Sequence, residues 1–92
     1  MPRPLKPRKI LFDPNVTYFK PRAVPLSMLQ EVELGVDELE AIRLCDLNDC
    51  NQIKAAKKMK ISQSTFQRVL SSARRKIAEA LIEGKAIKIE KQ

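Results

Sequence analysis

The sequence predicts a small, mainly α-helical domain of three helices, with short β-strands near its two ends. Between Phe66 and Leu81, apolar side chains recur every three or four residues, which is the periodicity of one buried helix face. Asn51 and Ser62 are residue types that begin helices, and each directly precedes a helical stretch. At 92 residues, the chain has room for one domain with a modest core.

We divide the chain into a basic arm over residues 1–22, a helical domain over 23–84 and a short strand over 85–92. The arm contains four prolines before residue 15, so we expect it to be extended up to a β-branched and aromatic strand at 16–19. Its basic residues are Arg3, Lys6, Arg8, Lys9, Lys20 and Arg22. The alternation over 86–90 predicts the last strand, which can pair with 16–19 or with its own copy in a dimer.

The first long helix is predicted from about Glu38 to Leu47. Asp37 is suited to be its N-cap, with Glu40 three residues later completing a capping box. Pro25 can open a single helical turn before it, from which Val32 and Leu34 continue the apolar series. The residues predicted to face the core are Leu39, Ile42, Cys45 and Leu47.

The second and third helices are spaced as in a helix-turn-helix unit. Helix two is predicted over about 52–59, and Ser62 begins a third helix that Gly84 ends. The small Ala56 fits a helix crossing, with Ile53 and Met59 on its side of helix two. In the turn, Lys60 occupies a position where glycine is common, and a left-handed lysine there costs roughly 1 kcal/mol. The residues expected to fill the angle between the helices are Ile61, Phe66 and Val69. A unit of this kind presents one helix to the major groove of DNA.

Charge is sorted along the chain rather than scattered. The net charge is +7, yet residues 27–50 carry seven acids against one arginine, and residues 51–78 carry eight Lys or Arg with no acid. Such a segregated basic stretch favours a phosphate-bearing partner. The acidic stretch is expected to face solvent or another protein.

The helical periodicity assigns two sets of candidate DNA contacts. The start of the third helix is the part that reaches base edges, where Gln pairs with adenine and Arg with guanine. The base-reading candidates are Gln63, Ser64, Thr65, Gln67 and Arg68. The phosphate candidates are Lys54, Lys57, Lys58, Lys60, Ser71, Arg74, Arg75 and Lys76. Four basic residues of the N-terminal arm are further candidate DNA contacts, namely Arg3, Lys6, Arg8 and Lys9. Tyr18 and Phe19 are expected to pack in the core rather than to stack on bases.

Other functional classes have little support in the composition. The chain contains no histidine, and we find no glycine-rich phosphate loop, so we expect neither an enzyme nor a cofactor. With only two cysteines, Cys45 and Cys50, one chain cannot supply a structural zinc site. We expect them to be reduced and packed, with a metal shared across a dimer as the alternative. No apolar run is long enough for a membrane span, so we expect a cytoplasmic protein.

Three segments carry a resemblance to a known family, namely 37–44 (DELEAIRL), 62–66 (SQSTF) and 72–78 (SARRKIA). Together with the opening MPRP and the closing EGKAI, they make the chain similar to the UPF0251 (DUF134) family over nearly its whole length. The resemblance implies a prokaryotic DNA-binding protein whose middle is similar to region 4 of sigma-70-type factors. The chain departs from the usual family pattern at Asn51, Lys54 and Lys60.

The leading hypothesis is therefore sequence-specific binding of double-stranded DNA in transcriptional regulation. Small size, the free last strand and an apolar Ile82 on the polar side of helix three favour a homodimer. Two alternatives remain: an RNA-binding or ribosome-associated protein, and a module that docks on RNA polymerase through the acidic residues 31–49. Because region 4 of sigma factors also contacts RNA polymerase, the resemblance leaves the last alternative open.

Overall fold

A computed structural model describes residues 9–90 of the chain. Its helices are α1 (Val36–Ile42), α2 (Gln52–Met59) and α3 (Gln63–Glu83), and its strands are β1 (Tyr18–Phe19), β2 (Glu31–Gly35) and β3 (Ala86–Glu90). A single 3₁₀ turn precedes β2 at Leu26–Met28, and α1 continues as a π-helical turn at Arg43–Leu47. The prediction of a small, mainly α-helical domain with strands near the ends is confirmed.

The first apolar cluster lies where the N-terminal half of α3 packs on α1 and α2. Phe66 and Met59 are fully buried there, beside the small side chain of Ala56. Ile61, in the turn before α3, packs against the same cluster as Phe66, as expected for residues that fill the angle between the two helices. This cluster fixes α3 relative to α2.

Both predicted helix-starting residues cap their helices. The Asn51 side chain accepts a hydrogen bond from the N–H of Lys54 at 2.8 Å, and the Ser62 hydroxyl accepts one from the N–H of Thr65 at 3.1 Å. Gly84 ends α3 with a φ of +68°, which a glycine adopts without steric cost. The starts of α2 and α3 and the end of α3 are therefore set by residue types that the sequence alone identifies.

The first helix begins earlier than predicted, and Asp37 is not its cap. Gly35 is the N-cap, and its N–H donates to the carboxylate of Glu38 at 2.8 Å. Glu38 thus takes the capping-box position assigned to Glu40, because strand β2 leads directly into the helix. At the other end, the N–H of Asn48 donates to the carbonyl of Arg43, five residues back, which widens the last turn.

The sheet has the order β1–β3–β2, with β1 antiparallel and β2 parallel to the central β3. The pairing of the two predicted strands is confirmed, since Phe19 lies opposite Ile87. Strand β2 was not predicted, although Val32 and Leu34 alternate with exposed acids as in a half-buried strand. Because β3 has a neighbour on each side, it cannot pair with its own copy, and this argument for a dimer is removed.

A second apolar cluster joins the sheet to the C-terminal half of α3. Leu34, Ala73 and Ile89 are buried in it, with Ile77 packed at its margin. Helix α3 therefore packs into both apolar clusters, the one between the helices near its start and the one against the sheet near its end. Near the end of the helix, Ala80 is buried whereas Leu81 is exposed.

Several residues predicted to be inward are exposed instead. Leu47 lies at the end of the widened π-helical turn, Ile53 lies in the first turn of α2, and Leu81 lies just outside the contact with the sheet. Tyr18 and Phe19 are exposed because their two-residue strand lies at the edge of the sheet, so the expectation of core packing was wrong for both. The exposure of Ile82 agrees with its predicted place on the polar side of α3.

Candidate nucleic-acid interface

A hydrogen-bonded turn of three residues joins α2 to α3. Lys60 is left-handed, with φ 57° and ψ 44°, as expected where a helix ends in a reversal. The N–H groups of Lys60 and Ile61 donate to the carbonyls of Lys57 and Ala56, each at 3.1 Å. The last carbonyls of α2 are thereby paired, and the direction in which α3 leaves is fixed.

One face of α3 is polar and exposed along more than three turns. Ser64, Arg68, Ser71 and Arg75 are all exposed, while Phe66 on the opposite face is fully buried. This is the division that the helical periodicity predicts. We call these four exposed residues the α3 face.

The side chains beside the α3 face at the start of the helix differ in their hydrogen bonding. Gln63, Gln67 and Arg68 form no side-chain hydrogen bond or ion pair within residues 9–90. The hydroxyl of Thr65 instead accepts a hydrogen bond from the Ser62 hydroxyl at 2.9 Å, and Ser64 lies 3.3 Å from the same hydroxyl. Thr65 therefore belongs to the cap, and the donors and acceptors free to bind a ligand are on the other residues.

The lysines of α2 and the turn form an exposed positive surface. Lys54, Lys57, Lys58 and Lys60 are all exposed, and none forms an ion pair within the part of the chain that the structure describes. Lys54 and Lys58 also border an open groove of about 440 Å³ at the start of α2. These ammonium groups are available to an anionic partner.

The basic residues of the second half of α3 are in a different situation. The guanidinium of Arg74 donates to both carboxylate oxygens of Asp46, at 2.6 and 3.1 Å, and this hydrogen bonding lowers the pKa of Asp46. Lys76 donates to Glu38 at 2.9 Å. Arg75, on the α3 face, remains exposed and lowers the pKa of nearby Glu79 only as a minor contributor behind Lys85. Two of the eight phosphate candidates, Arg74 and Lys76, are thus already paired with acids of α1 and the π-helical turn.

Two of the seven acids in the acidic stretch, Glu38 and Glu40, are buried, which the sequence did not predict. Glu40 is 1% exposed and binds Arg43 through both carboxylate oxygens, at 2.6 and 2.9 Å. It also accepts the N–H of Leu11 at 3.1 Å, and the ring of Phe12 lies 5.7 Å from the guanidinium carbon of Arg43. The spacing of Glu40 and Arg43 along one helix was the available signal for the ion pair, but nothing local indicated the distant Leu11.

The N-terminal segment runs past the turn between α2 and α3. The N–H of Lys9 donates to the carbonyl of Met59, the last residue of α2, at 3.0 Å. Lys9 is exposed, so its charge is added to that of the neighbouring lysines. The other arm residues proposed to contact DNA, Arg3, Lys6 and Arg8, lie outside the described residues.

Both cysteines are free and half-buried against the helical cluster. Burial raises the pKa of Cys45, and the nearby Cys50 and Asp46 raise it further, so this thiol stays protonated at neutral pH. Within residues 9–90, the structure places no three or more His, Cys, Asp or Glu side chains together as a metal site. In the same residues no helix is both long and apolar enough to cross a membrane.

Sequence comparison relates nearly the whole chain to one family. Residues 1–91 match the family model described as a protein of unknown function, DUF134. UPF0251 proteins of Caldanaerobacter subterraneus subsp. tengcongensis and Thermoanaerobacter pseudethanolicus are 59% and 57% identical, over 98% of this chain and 76% of each relative. A UPF0251 protein of Dehalococcoides mccartyi is 53% identical, over 98% of this chain and 77% of the relative. No solved structure shows significant similarity. With these matches over almost its entire length, the chain belongs to the UPF0251 (DUF134) family.

Proposed function

We propose that this protein binds double-stranded DNA in a sequence-dependent manner, with α3 in the major groove, and acts as a transcriptional regulator. The observation that carries the proposal is the surface of the α2–turn–α3 unit. Five of its Lys and Arg side chains are exposed and have no partner within residues 9–90, and they surround a helix start with free amide and guanidinium groups. The five are Lys54, Lys57, Lys58, Lys60 and Arg68.

These groups suit the two kinds of contact that DNA offers. Gln63, Gln67 and Arg68 lie in the first two turns of α3, from which side chains reach base edges in the major groove. The lysines of α2 and the turn lie to one side, where a helix crossing the backbone meets phosphates. Lys9 adds a charge beside the same turn. Base contacts and phosphate contacts are therefore assigned to different elements.

The structure weakens the alternative in which the acidic stretch docks on RNA polymerase. Of its seven acids, Glu38, Glu40 and Asp46 are engaged with Lys76, Arg43 and Arg74 of the same chain. A partner that needed these carboxylates would have to break internal ion pairs. RNA binding would use the same cations as DNA binding, so a direct competition is required to separate the two.

The experiment is selection from random duplex DNA at two salt concentrations, followed by affinity measurements on the selected sequence. We expect Arg68→Ala to lose about tenfold or more of the preference for that sequence, because one base contact contributes roughly 1–3 kcal/mol of discrimination. Lys57→Ala should weaken selected and unselected duplexes equally and reduce the salt dependence by about one phosphate contact. Structured RNA is included as a competitor.

A variant outside the unit serves as the matched control. Arg22→Ala removes the same charge as Arg68→Ala from an exposed position after β1, and we expect it to leave the sequence preference unchanged. The proposal is wrong if no duplex sequence is enriched, or if structured RNA displaces the selected duplex. It is also wrong in its assignment if Arg22→Ala changes the preference as much as Arg68→Ala does.

A further inference from the structure

An apolar surface surrounds strand β1, and none of its residues has a role in the proposed function. Phe12, Val16, Phe19 and Leu81 are all exposed there. We call these four residues the Phe19 face. For so small a chain, a contiguous group of exposed large apolar residues indicates an interaction surface rather than ordinary scatter.

The Phe19 face is continuous because one ring borders two adjacent grooves. Phe19 lines a groove of about 320 Å³ together with Phe12 and Val16, and a second groove of about 260 Å³ together with Leu81. Buried or half-buried side chains of the sheet form the floor of both, including Ile89 in the first and Ile87 in the second. The surface is thus two open grooves that share the half-exposed ring of Phe19 as a common border.

Charge identifies the partner that this surface suits. The basic stretch 51–78 carries a charge of +8, so two copies repel each other if they meet there. At the Phe19 face, by contrast, Lys85 binds Glu79 at 2.6 Å and Glu83 at 3.1 Å, and Lys20 and Asp13, which line the grooves, add one charge of each sign. This mixed-charge margin lets two identical copies approach, and it has no excess of positive charge to attract a polyanion.

We propose that the Phe19 face is the interface of a homodimer, in which it packs against the same face of a second copy. In a two-fold dimer each surface contacts itself, so the exposed ring of Phe19 in one copy can enter a groove that the same residue borders in the other copy. The functional role of this dimer rests on the DNA binding proposed above, whereas the association itself requires no DNA.

The position of the interface along α3 agrees with that role. Leu81 lies 14 residues after Gln67, which is about 20 Å along the helix axis at 1.5 Å per residue. Contact at this end leaves both α3 faces exposed, one on each side of the dimer axis. The two helix starts are then separated by up to about 40 Å, a range that includes the roughly 34 Å between half-sites one turn apart.

The test compares two leucines of equal exposure. Leu81 and Leu47 are each 74% exposed, but only Leu81 belongs to the Phe19 face. We expect the unmodified chain to sediment at micromolar concentrations with twice its 10.5 kDa monomer mass. Leu81→Lys should raise the dissociation constant of the dimer by at least about tenfold, because the dyad brings two buried ammonium groups together. Leu47→Lys should leave that constant within about twofold of the original.

Circular dichroism verifies that each variant is folded. Phe19→Ser tests the same interface with a second variant, which introduces no charge. A chain that remains monomeric, or a dimer that Leu47→Lys weakens as much as Leu81→Lys does, would overturn the proposal. Measuring how each chain binds duplex DNA that contains one selected half-site distinguishes a failure of the interface proposal from a failure of the DNA proposal. A monomer that binds the half-site overturns only the interface, and a dimer that binds no duplex overturns only the DNA function.

Discussion

The first helical region and the α2–turn–α3 start are both rich in charge, but they use it in opposite ways. In the first, spanning α1 and the π-helical turn, Glu38, Glu40 and Asp46 bind cations of the same chain. In the second, from Lys54 to Arg68, the cations are exposed and form no ion pair within residues 9–90. In this chain the paired charges therefore hold the structure together, whereas the unpaired charges form the surface proposed for DNA.

The largest expected effect tests whether the paired charges are structural. Glu40→Gln removes a carboxylate that is almost fully buried and leaves the guanidinium of Arg43 without its counter-charge. We expect the free energy of unfolding to fall by about 3 kcal/mol, because breaking a buried pair from one side is costly. Urea denaturation measures this change. The control, Glu33→Gln, alters an exposed acid of β2 and should cost no more than about 0.5 kcal/mol. Equal costs would contradict the division between the two regions.

A second prediction concerns the pH dependence of stability. Burial by itself raises the pKa of Glu38, but hydrogen bonds from Ser72, Lys76 and the N–H of Gly35 outweigh it, so the pKa in the folded chain lies below 4.5. A carboxyl with a lowered pKa stabilises the fold at pH values above 4.5, and this contribution is lost as the pH falls towards the lowered value. We therefore expect stability to fall on acidification through this range.

Glu38→Gln isolates this effect. The amide cannot ionise, so the variant should be less stable than the original chain at neutral pH and should lose less stability on acidification. Thermal unfolding followed at several pH values from neutral to acidic measures both. Identical pH profiles for the two chains would show that Glu38 contributes nothing to acid sensitivity.

The features that could be predicted from the sequence are those that depend on neighbouring residues. Local chemistry predicted Asn51 and Ser62 as caps, the left-handed turn at Lys60 and the exposed face of α3, because each depends on neighbours within about one helical turn. Strand β2 was missed because Val32 and Leu34 were assigned to the apolar series that follows the turn at Pro25, although they alternate with exposed acids as in a strand. The sequence also did not show that Asp46 reaches Arg74, because no local pattern links two residues so far apart in the chain.

A smaller effect is expected at the turn itself. Lys60 is left-handed with φ 57°, a conformation that costs a lysine roughly 1 kcal/mol and a glycine almost nothing. Lys60→Gly should raise the free energy of unfolding by about 0.5 kcal/mol after the greater freedom of glycine in the unfolded chain is included. If Lys60 contacts a phosphate, the same variant should weaken DNA binding and reduce its salt dependence by about one contact.

Gly84→Ala is the matched control, because it should change the free energy of unfolding in the opposite direction to Lys60→Gly. Gly84 also has a positive φ, +68°, and has no atom within 4 Å of the position of an added Cβ. Gly84→Ala should therefore destabilise the fold by about 1 kcal/mol through backbone strain alone, with no steric clash. Destabilisation by Lys60→Gly would show that the lysine side chain supports the turn, which would contradict its assignment to the unpaired surface.

The smallest expected effect concerns Arg74, a basic residue of α3 that is paired with an acid of the π-helical turn. Asp46 holds this arginine in a pair that is exposed to solvent, so Asp46→Asn should free the guanidinium at little cost in stability. We expect duplex DNA to bind about two- to threefold more tightly at low salt, with a salt dependence steeper by about one phosphate contact.

Asp49→Asn removes an equal charge from the neighbouring loop, where no contact with Arg74 exists. A larger gain for Asp46→Asn would show that the ion pair withholds Arg74 from DNA. Equal gains would show that only net charge matters, and that Arg74 lies beyond the reach of the duplex.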